Sequence, residues 1–304
     1  MSRIEVKPRP NHEYIRLLNA DFPDFKVKDM RFLGNGWHSA AMLVNDEWVF
    51  RFPRHLFDPE NITDYKMAQL KREAAVLKAL HGRTPYQTPL PELIPKSGLY
   101  HGYKLVRGRL WDEKTDTHKS DAFMERWLDA RRAIASALDV DEAHKLGVPD
   151  YDINLLLAEI VELDQAAKTP AAAKTLLATA SETVHEKMPP KSSWTFIHTD
   201  MQVRNVLLDE DDNITGVIDF GGSEVGPLEA DFAFWTNWRD DSLQQVAKLA
   251  AQRGEHVDIE LTEALRQIYD LYDYVLSKRY GANESADFYL DKIEWWVDQQ
   301  RAKS

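Results

Sequence analysis

Apolar residues gather in short runs up to about residue 105. From about Phe123 they recur at three- and four-residue steps instead, with one return to short runs near residue 194. Met30–Leu33, Ala41–Val44 and Trp48–Phe52 read as strands, and Asn45-Asp46-Glu47 is a hairpin turn signal between the last two. Met67, Leu70, Ala74, Leu77 and Leu80 predict a helix over Tyr65–His81, with Gly82 as its stop. Two more short runs, Leu93–Ile94 and Tyr103–Val106, close this part. Helices are then expected over Phe123–Ala137, Tyr151–Ala166 and Ala172–His185, and later over Leu243–Gln252, Leu261–Tyr280 and Ala286–Gln299. A strand-like island, Trp194–His198 and Val206–Asp219, lies between them. A small sheet with one helix, followed by a helical body holding a strand insertion, predicts an α+β chain of two lobes, residues 1–104 and 105–304. A doubly wound sheet would need strands and helices to alternate throughout.

Composition narrows the function. The 304 residues include no cysteine, which removes disulfides, thiolate metal sites and a cysteine nucleophile together and fits a reducing cytoplasm. No apolar run approaches the length of a membrane span, and the polar start MSRIEVKPRPNHEYIR shows no signal peptide. A net charge of -12 argues against nucleic acid as a partner, because phosphate backbones need basic surface. The charge is uneven: residues 201–304 carry 10 Lys+Arg against 21 Asp+Glu. Such a stretch is either a solvated acidic surface or an attractor for a cationic small molecule. Glu229, Asp240, Asp241, Asp270 and Asp273 are the candidate contacts for such a substrate.

The densest chemical signal is the stretch Phe196–Leu208 followed by Gly216–Gly221. Two strand-like runs bracket a polar loop that sets His198, Asp200 and Asn205 at fixed offsets, and Asp219 ends the next run ahead of Phe220-Gly221. Carboxylates and an amide at strand ends suit Mg²⁺, a hard ion that prefers oxygen. A free carboxylate beside them can orient a hydroxyl and take its proton. H-x-D-x-x-x-x-N followed by D-F-G is the spacing of the kinase catalytic and metal loops. In the N-terminal part, Gly34 and Gly36 in the Leu33–Ser39 segment let backbone approach phosphate oxygens, and Ser39 offers a hydroxyl. Read alone, that segment is an ordinary hairpin turn. Arg51, between Phe50 and Phe52, points to the opposite face from both, and Glu73 on the following helix is its natural partner.

These residues together resemble the aminoglycoside phosphotransferase family of small-molecule kinases, particularly the branch acting at the 2''-hydroxyl. The likeness spans nearly the whole chain and includes Val225–Phe232 and the linker-like Ala143–Pro149. It implies a protein-kinase-like fold whose first lobe binds ATP or GTP and whose second holds the catalytic and substrate sites. It further implies Asp200 as catalytic base, Asn205 and Asp219 as Mg²⁺ ligands, and Asp231 and His198 as braces of the loop. The nucleotide base would meet a hinge at Lys104–Gly108, including Val106. Two positions depart from the pattern. Thr199 stands where many members have Gly or Asn, and Arg51 where most carry Lys; Arg keeps the charge in a bidentate fork. Macrolide kinases resemble the chain too, but tend to carry His in place of Asn205.

Other classes fit less well. Gly221–Val225 misses the last glycine of a nucleophile elbow, no His-Glu-x-x-His occurs, and no Walker-A run is present. A kinase of an endogenous alcohol (choline, homoserine or a sugar) remains an alternative. So does an inactive kinase-fold binding module, which would be expected to lose Asp200 or Asp219.

Overall fold

The computed structural model describes residues 9–35, 39–53, 64–112, 116–167 and 169–303. The first part is an antiparallel sheet of β1 (Met30–Asn35), β2 (Ser39–Val44), β3 (Trp48–Pro53), β4 (Pro91–Leu93) and β5 (His101–Lys104), in the order β1-β2-β3-β5-β4. Helix α2 (Asp64–Leu80) connects β3 to β4. Strand alternation gives the sheet two unlike faces. Phe50 and Phe52 point to one side, where their rings pack with Tyr100 and with Tyr14 and Leu18 of α1 (Asn11–Asp21). Each such buried ring contributes about 1.5–3 kcal/mol by leaving water. Arg51, paired across the sheet with Ala41 and His101, points to the other side, behind a smaller cluster of Leu43, Val49 and Tyr103.

Helix α1 was not anticipated. It has no side-chain N-cap and buries only Tyr14 and Leu18, so its stability comes from the aromatic face it covers. Tyr100 Oη donates to Asp21 Oδ2 at 2.6 Å and closes that contact.

The remainder is mainly helical: α3 (Asp121–Ala137), α4 (Val140–Lys145), α5 (Ile153–Ala167), α6 (Ala171–Lys187), α7 (Leu228–Phe232), α8 (Ser242–Gln252), α9 (Ile259–Arg279) and α10 (Asn283–Lys303). Helix α9 runs through the core with Leu261, Leu265, Ile268 and Val275 buried, and it packs on α5, α6 and α10. The expected linker Ala143–Pro149 contains the end of α4. That helix is fixed by a capping box in which Asp139 accepts from the Glu142 backbone and Glu142 reaches back.

The strand island forms two small sheets, β6-β8-β9 (Arg109–Leu110, Val206–Leu208, Ile214–Val217) and β7-β10 (Thr195–Ile197, Glu224–Gly226). The single expected run Val206–Asp219 is therefore two strands. Asp209 Oδ1 accepts from the backbone of Asp211 and Asn213 and folds the turn between them. No helix among the described residues is long and apolar enough to cross a membrane.

Candidate active site

The loop joining β7 to β8 carries His198, Asp200 and Asn205, and the end of β9 leads into Asp219. His198 ties the two segments together. Its Nε2 donates to the Ile218 carbonyl at 3.1 Å, while Nδ1 accepts the Asp200 backbone N–H at 3.2 Å. Burial pushes the imidazole down to about 4, so it is neutral at physiological pH with the tautomer these bonds require. Asp231 on α7 braces the same loop, its Oδ1 accepting the Thr199 N–H at 2.8 Å. Burial pushes that carboxyl up to about 6, against the pull of Arg131.

Thr199 has φ +64°, Arg204 +78° and Asp219 +69°. Left-handed backbone at a β-branched residue costs about 1–3 kcal/mol, so the surroundings must hold it. Thr199 Oγ1 donates to the Gly222 carbonyl at 2.7 Å, which with the Asp231 contact pins the residue from both ends. Gly or Asn adopts this conformation without that strain, which gives the physical meaning of the departure at this position.

Asp200 accepts on both oxygens. Gln202 Nε2 donates to Oδ1, and Asn205 Nδ2 donates to Oδ2 at 2.6 Å. Burial first, and then the nearby Asp219 carboxylate, push the Asp200 carboxyl up to about 8. The Asn205 amide nitrogen also meets the Asp200 carbonyl at 2.9 Å, so its oxygen is the end left to face a cation.

Across the cleft, Arg51 gathers the remaining pieces. Nη1 lies 2.6 Å from Glu73 Oε1 and 2.9 Å from Asp219 Oδ1, and Ser39 Oγ accepts from Nε and Nη2 at 3.3 and 3.0 Å. A single guanidinium thus joins β2, β3, α2 and the loop after β9, which a lysine with one nitrogen could not do in the same geometry. Burial opposes the charge on Arg51, but Asp219 and Glu73 together hold its pKa above the ordinary value. Burial pushes the Glu73 carboxyl up to about 7 despite Arg51. Helix α2 also grips the loop after Asp219 directly: Gln69 Nε2 and Arg72 Nη2 donate to the Gly221 carbonyl at 3.0 and 3.2 Å.

These groups share a cleft of about 450 Å³. Ser39, Arg51, Glu73, Asp200 and Asp219 all line it. Gly34 and Val106 do not: Gly34 pairs with Ala41 in the sheet, and Val106 is half-buried in the connection after β5. Gly36 lies outside the described residues.

Of the five acids expected to meet a substrate, only Asp273 lines the cleft among the described residues. Glu229 is buried and accepts the Asp258 N–H. Asp270 is fully buried between Arg266, Lys292 and Trp296, and Asp240 is held by His118 and the Ser242 N–H. Asp241 is exposed at the start of α8. The expected direct contact is thus corrected for Glu229, Asp240 and Asp270, whose carboxylates are taken up by protein partners, and for Asp241, which lies outside the cleft lining.

Sequence reading missed Asp152 and Glu159 on and just before α5, Glu224 on β10, and the wall formed by Tyr151, Phe234 and Tyr289. Tyr269 and Tyr272 of α9 line it as well. The others reach it from separate elements, and only α5 carried a surface hint, Leu155 standing apolar and 64% exposed at the cleft.

A family model described as "Phosphotransferase enzyme family" matches residues 29–268. The chain belongs to that family. The phosphotransferase has the fold of several solved relatives. One is the GDP complex of wild-type aminoglycoside 2'-phosphotransferase-IIIa, at TM-score 0.73 and 21% identity over 95% of this chain and 99% of that one. Another is macrolide 2'-phosphotransferase type I, at 0.68 and 16% over 96% and 99%. A third is the macrolide 2'-phosphotransferase MphH from Brachybacterium faecium, at 0.62 and 15% over 92% and 97%. The expectations of an α+β kinase-like fold and of an enzyme that transfers phosphate to a hydroxyl hold for this phosphotransferase.

Proposed function

We propose that the protein transfers the γ-phosphate of ATP or GTP to a hydroxyl of a polycationic aminoglycoside. The observation that carries this reading is the charge of the cleft wall. Asp152, Glu159, Asp200, Glu224 and Asp273 line it beyond the Arg51 cluster, with Arg266 as the one cation there among the described residues, already bonded to Asp270. Burial pushes Glu224 up to about 8 despite Arg72 and Asp273 up to about 6 despite Arg266, so each would gain its charged form more readily beside a further cationic partner. Substrate ammonium groups would supply those partners, and like-signed walls would raise the local concentration of such a substrate. An APH(2") enzyme that is similar to this chain in fold, at TM-score 0.72 and 22% identity over 93% of this chain and 97% of that one, has been solved with GDP and kanamycin.

In this reading Arg51, positioned by Glu73 and Ser39, holds the nucleotide phosphates. Asp200 orients the acceptor hydroxyl and takes its proton as the oxygen attacks the γ-phosphorus, while the diphosphate leaves with the other electron pair. The donor set suits Mg²⁺: the Asp219 side chain is 40% exposed at the cleft, and Asn205, buried beside it with Nδ2 committed to Asp200, has its amide oxygen as the donor it would offer. No group of three or more His, Asp or Glu forms a cage among the described residues, so phosphate oxygens and water would complete the shell held by Asn205 and Asp219. Bound there, Mg²⁺ would neutralise charge developing on the transferred group.

The apolar side of the cleft favours a second reading. Leu155, Leu156, Phe234 and Tyr272 offer a surface for a bulky, singly charged macrolide. The test is nucleoside diphosphate release by purified protein, with ATP and with GTP, against kanamycin, gentamicin, a macrolide, choline and homoserine. The aminoglycosides should give the highest kcat/KM, falling several-fold as ionic strength passes about 0.1 M, where screening sets in over about 10 Å. A macrolide or choline turned over faster, without greater salt dependence, overturns the aminoglycoside reading.

A further inference from the structure

A buried lysine under the cleft floor stands at the head of a chain of amides that ends on Asp200. Lys292, on α10, is 1% exposed. Its Nζ donates to Asp270 Oδ1 at 2.6 Å and to Asn237 Oδ1 at 2.7 Å. Asn237 Nδ2 donates to Gln202 Oε1 at 3.3 Å, and Gln202 Nε2 donates to Asp200 Oδ1.

The direction of this chain follows from chemistry. An ammonium only donates, so Asn237 must turn its oxygen to Lys292 and its NH₂ to Gln202. Gln202 must then turn its oxygen to Asn237 and its NH₂ to Asp200. Each amide alone could sit either way round. The lysine selects the one arrangement in which Asp200 meets a donor. In the opposite arrangement an amide oxygen would face a carboxylate oxygen, and the carboxylate would rotate away from its place.

We propose that Lys292 is a positioning residue for phosphate transfer, fixing through Asn237 and Gln202 the hydrogen bond that orients Asp200 toward the acceptor hydroxyl. This rests on the reading of Asp200 as the base. Lys292 also shares the charge of Asp270 with Arg266, and that structural share must be separated from the positioning one.

Asn237→Asp makes the separation. Its carboxylate keeps Lys292 paired but has no proton for Gln202, so the Gln202 amide turns round while the ion cluster is preserved. With positioning at work, kcat falls about tenfold, the nucleotide KM stays within about twofold and the melting temperature does not drop. Gln202→Leu should lower kcat similarly, and the double variant Gln202→Leu/Asn237→Asp should be no slower than the slower single one, since both cut the same chain. Wild-type kcat in Asn237→Asp, or a double variant whose loss is the product of the two single losses, overturns the proposal. Asp200→Asn, assayed alongside, tells the two readings apart. If it retains turnover, the base assignment is at fault and takes the relay with it. If it is inactive while Asn237→Asp is fully active, the relay alone is wrong.

Discussion

Replacing Asp200 by asparagine keeps the side chain's size but removes its ability to take a proton. In the wild type both oxygens accept, one from Gln202 and one from Asn205 at 2.6 Å. Asparagine offers one oxygen and one NH₂, so in either orientation an N–H faces an N–H. That mismatch costs about 1–3 kcal/mol. Working against it, the variant deletes a carboxylate that burial and Asp219 already make hard to ionise. The two effects oppose, and the melting temperature should stay within about 5 °C of wild type, at roughly 2–4 °C per kcal/mol for a chain of this size or somewhat smaller. Chemistry has no such compensation. Loss of a general base lowers kcat by about 10²–10⁴-fold, which is about 2.7–5.4 kcal/mol of transition-state stabilisation at 1.36 kcal/mol per decade. The nucleotide KM should change little, because Arg51, the residue proposed to hold the phosphates, is bonded to Glu73, Ser39 and Asp219 rather than to Asp200. Initial rates by nucleoside diphosphate release, together with calorimetric melting, read both quantities. Turnover within a few-fold of wild type in a folded variant would refute the assignment of Asp200.

Two further outcomes follow from the same geometry. Arg51→Ala strands Glu73, which is 2% exposed, without its cation, and should cost about 3–5 kcal/mol of stability while raising the nucleotide KM and lowering kcat together; nucleotide titration showing normal constants would make Arg51 a bystander. His101 is buried, and burial, followed by Arg51, pushes its imidazole from 6.5 to about 3. The unfolded chain therefore takes up a proton below 6.5 that the native protein refuses, so stability from this group is complete above 6.5 and is lost as pH falls toward 3. Urea unfolding from pH 7 to 4.5 should show the gap between wild type and His101→Gln closing by about 1.4 kcal/mol per pH unit, and parallel curves would count against it.

The parts of the molecule set by local pattern were legible in advance. β2 and β3 carry their apolar runs with a turn between them, and α3, α6 and α8–α10 follow their three- and four-residue steps. The contact between Arg51 and Glu73 was readable because strand alternation fixes the side of Arg51 and only one acid lies suitably on the next helix. What escaped depends on tertiary company. Helix α1 is held by aromatic rings that arrive from β3 and from the approach to β5. The fate of the acids in the last third was hidden for the same reason. Asp270 is spent because Arg266 lies four residues before it and Lys292 arrives from another helix, and no single stretch of sequence shows both. Asp152, Glu159 and Glu224 become neighbours only when α5 and β10 are brought to one cleft. Charge counts placed the excess in residues 201–304, while Asp152, Glu159 and Asp200 reach the cleft from earlier in the chain, and no count says which carboxylates face it.

Asp219 sits at φ +69° in a turn where most side chains are strained. Among residues with a Cβ, asparagine tolerates this conformation best. The replacement that would remove its charge is therefore also the one the backbone accepts most readily, and the genetic code allows it by a single base change. On the metal-holding role proposed for Asp219, a population carrying this gene would lose catalysis in one step while keeping its acidic cleft. Such a descendant would sequester substrate without consuming it. The geometry of this turn thus makes the passage from enzyme to binding protein short.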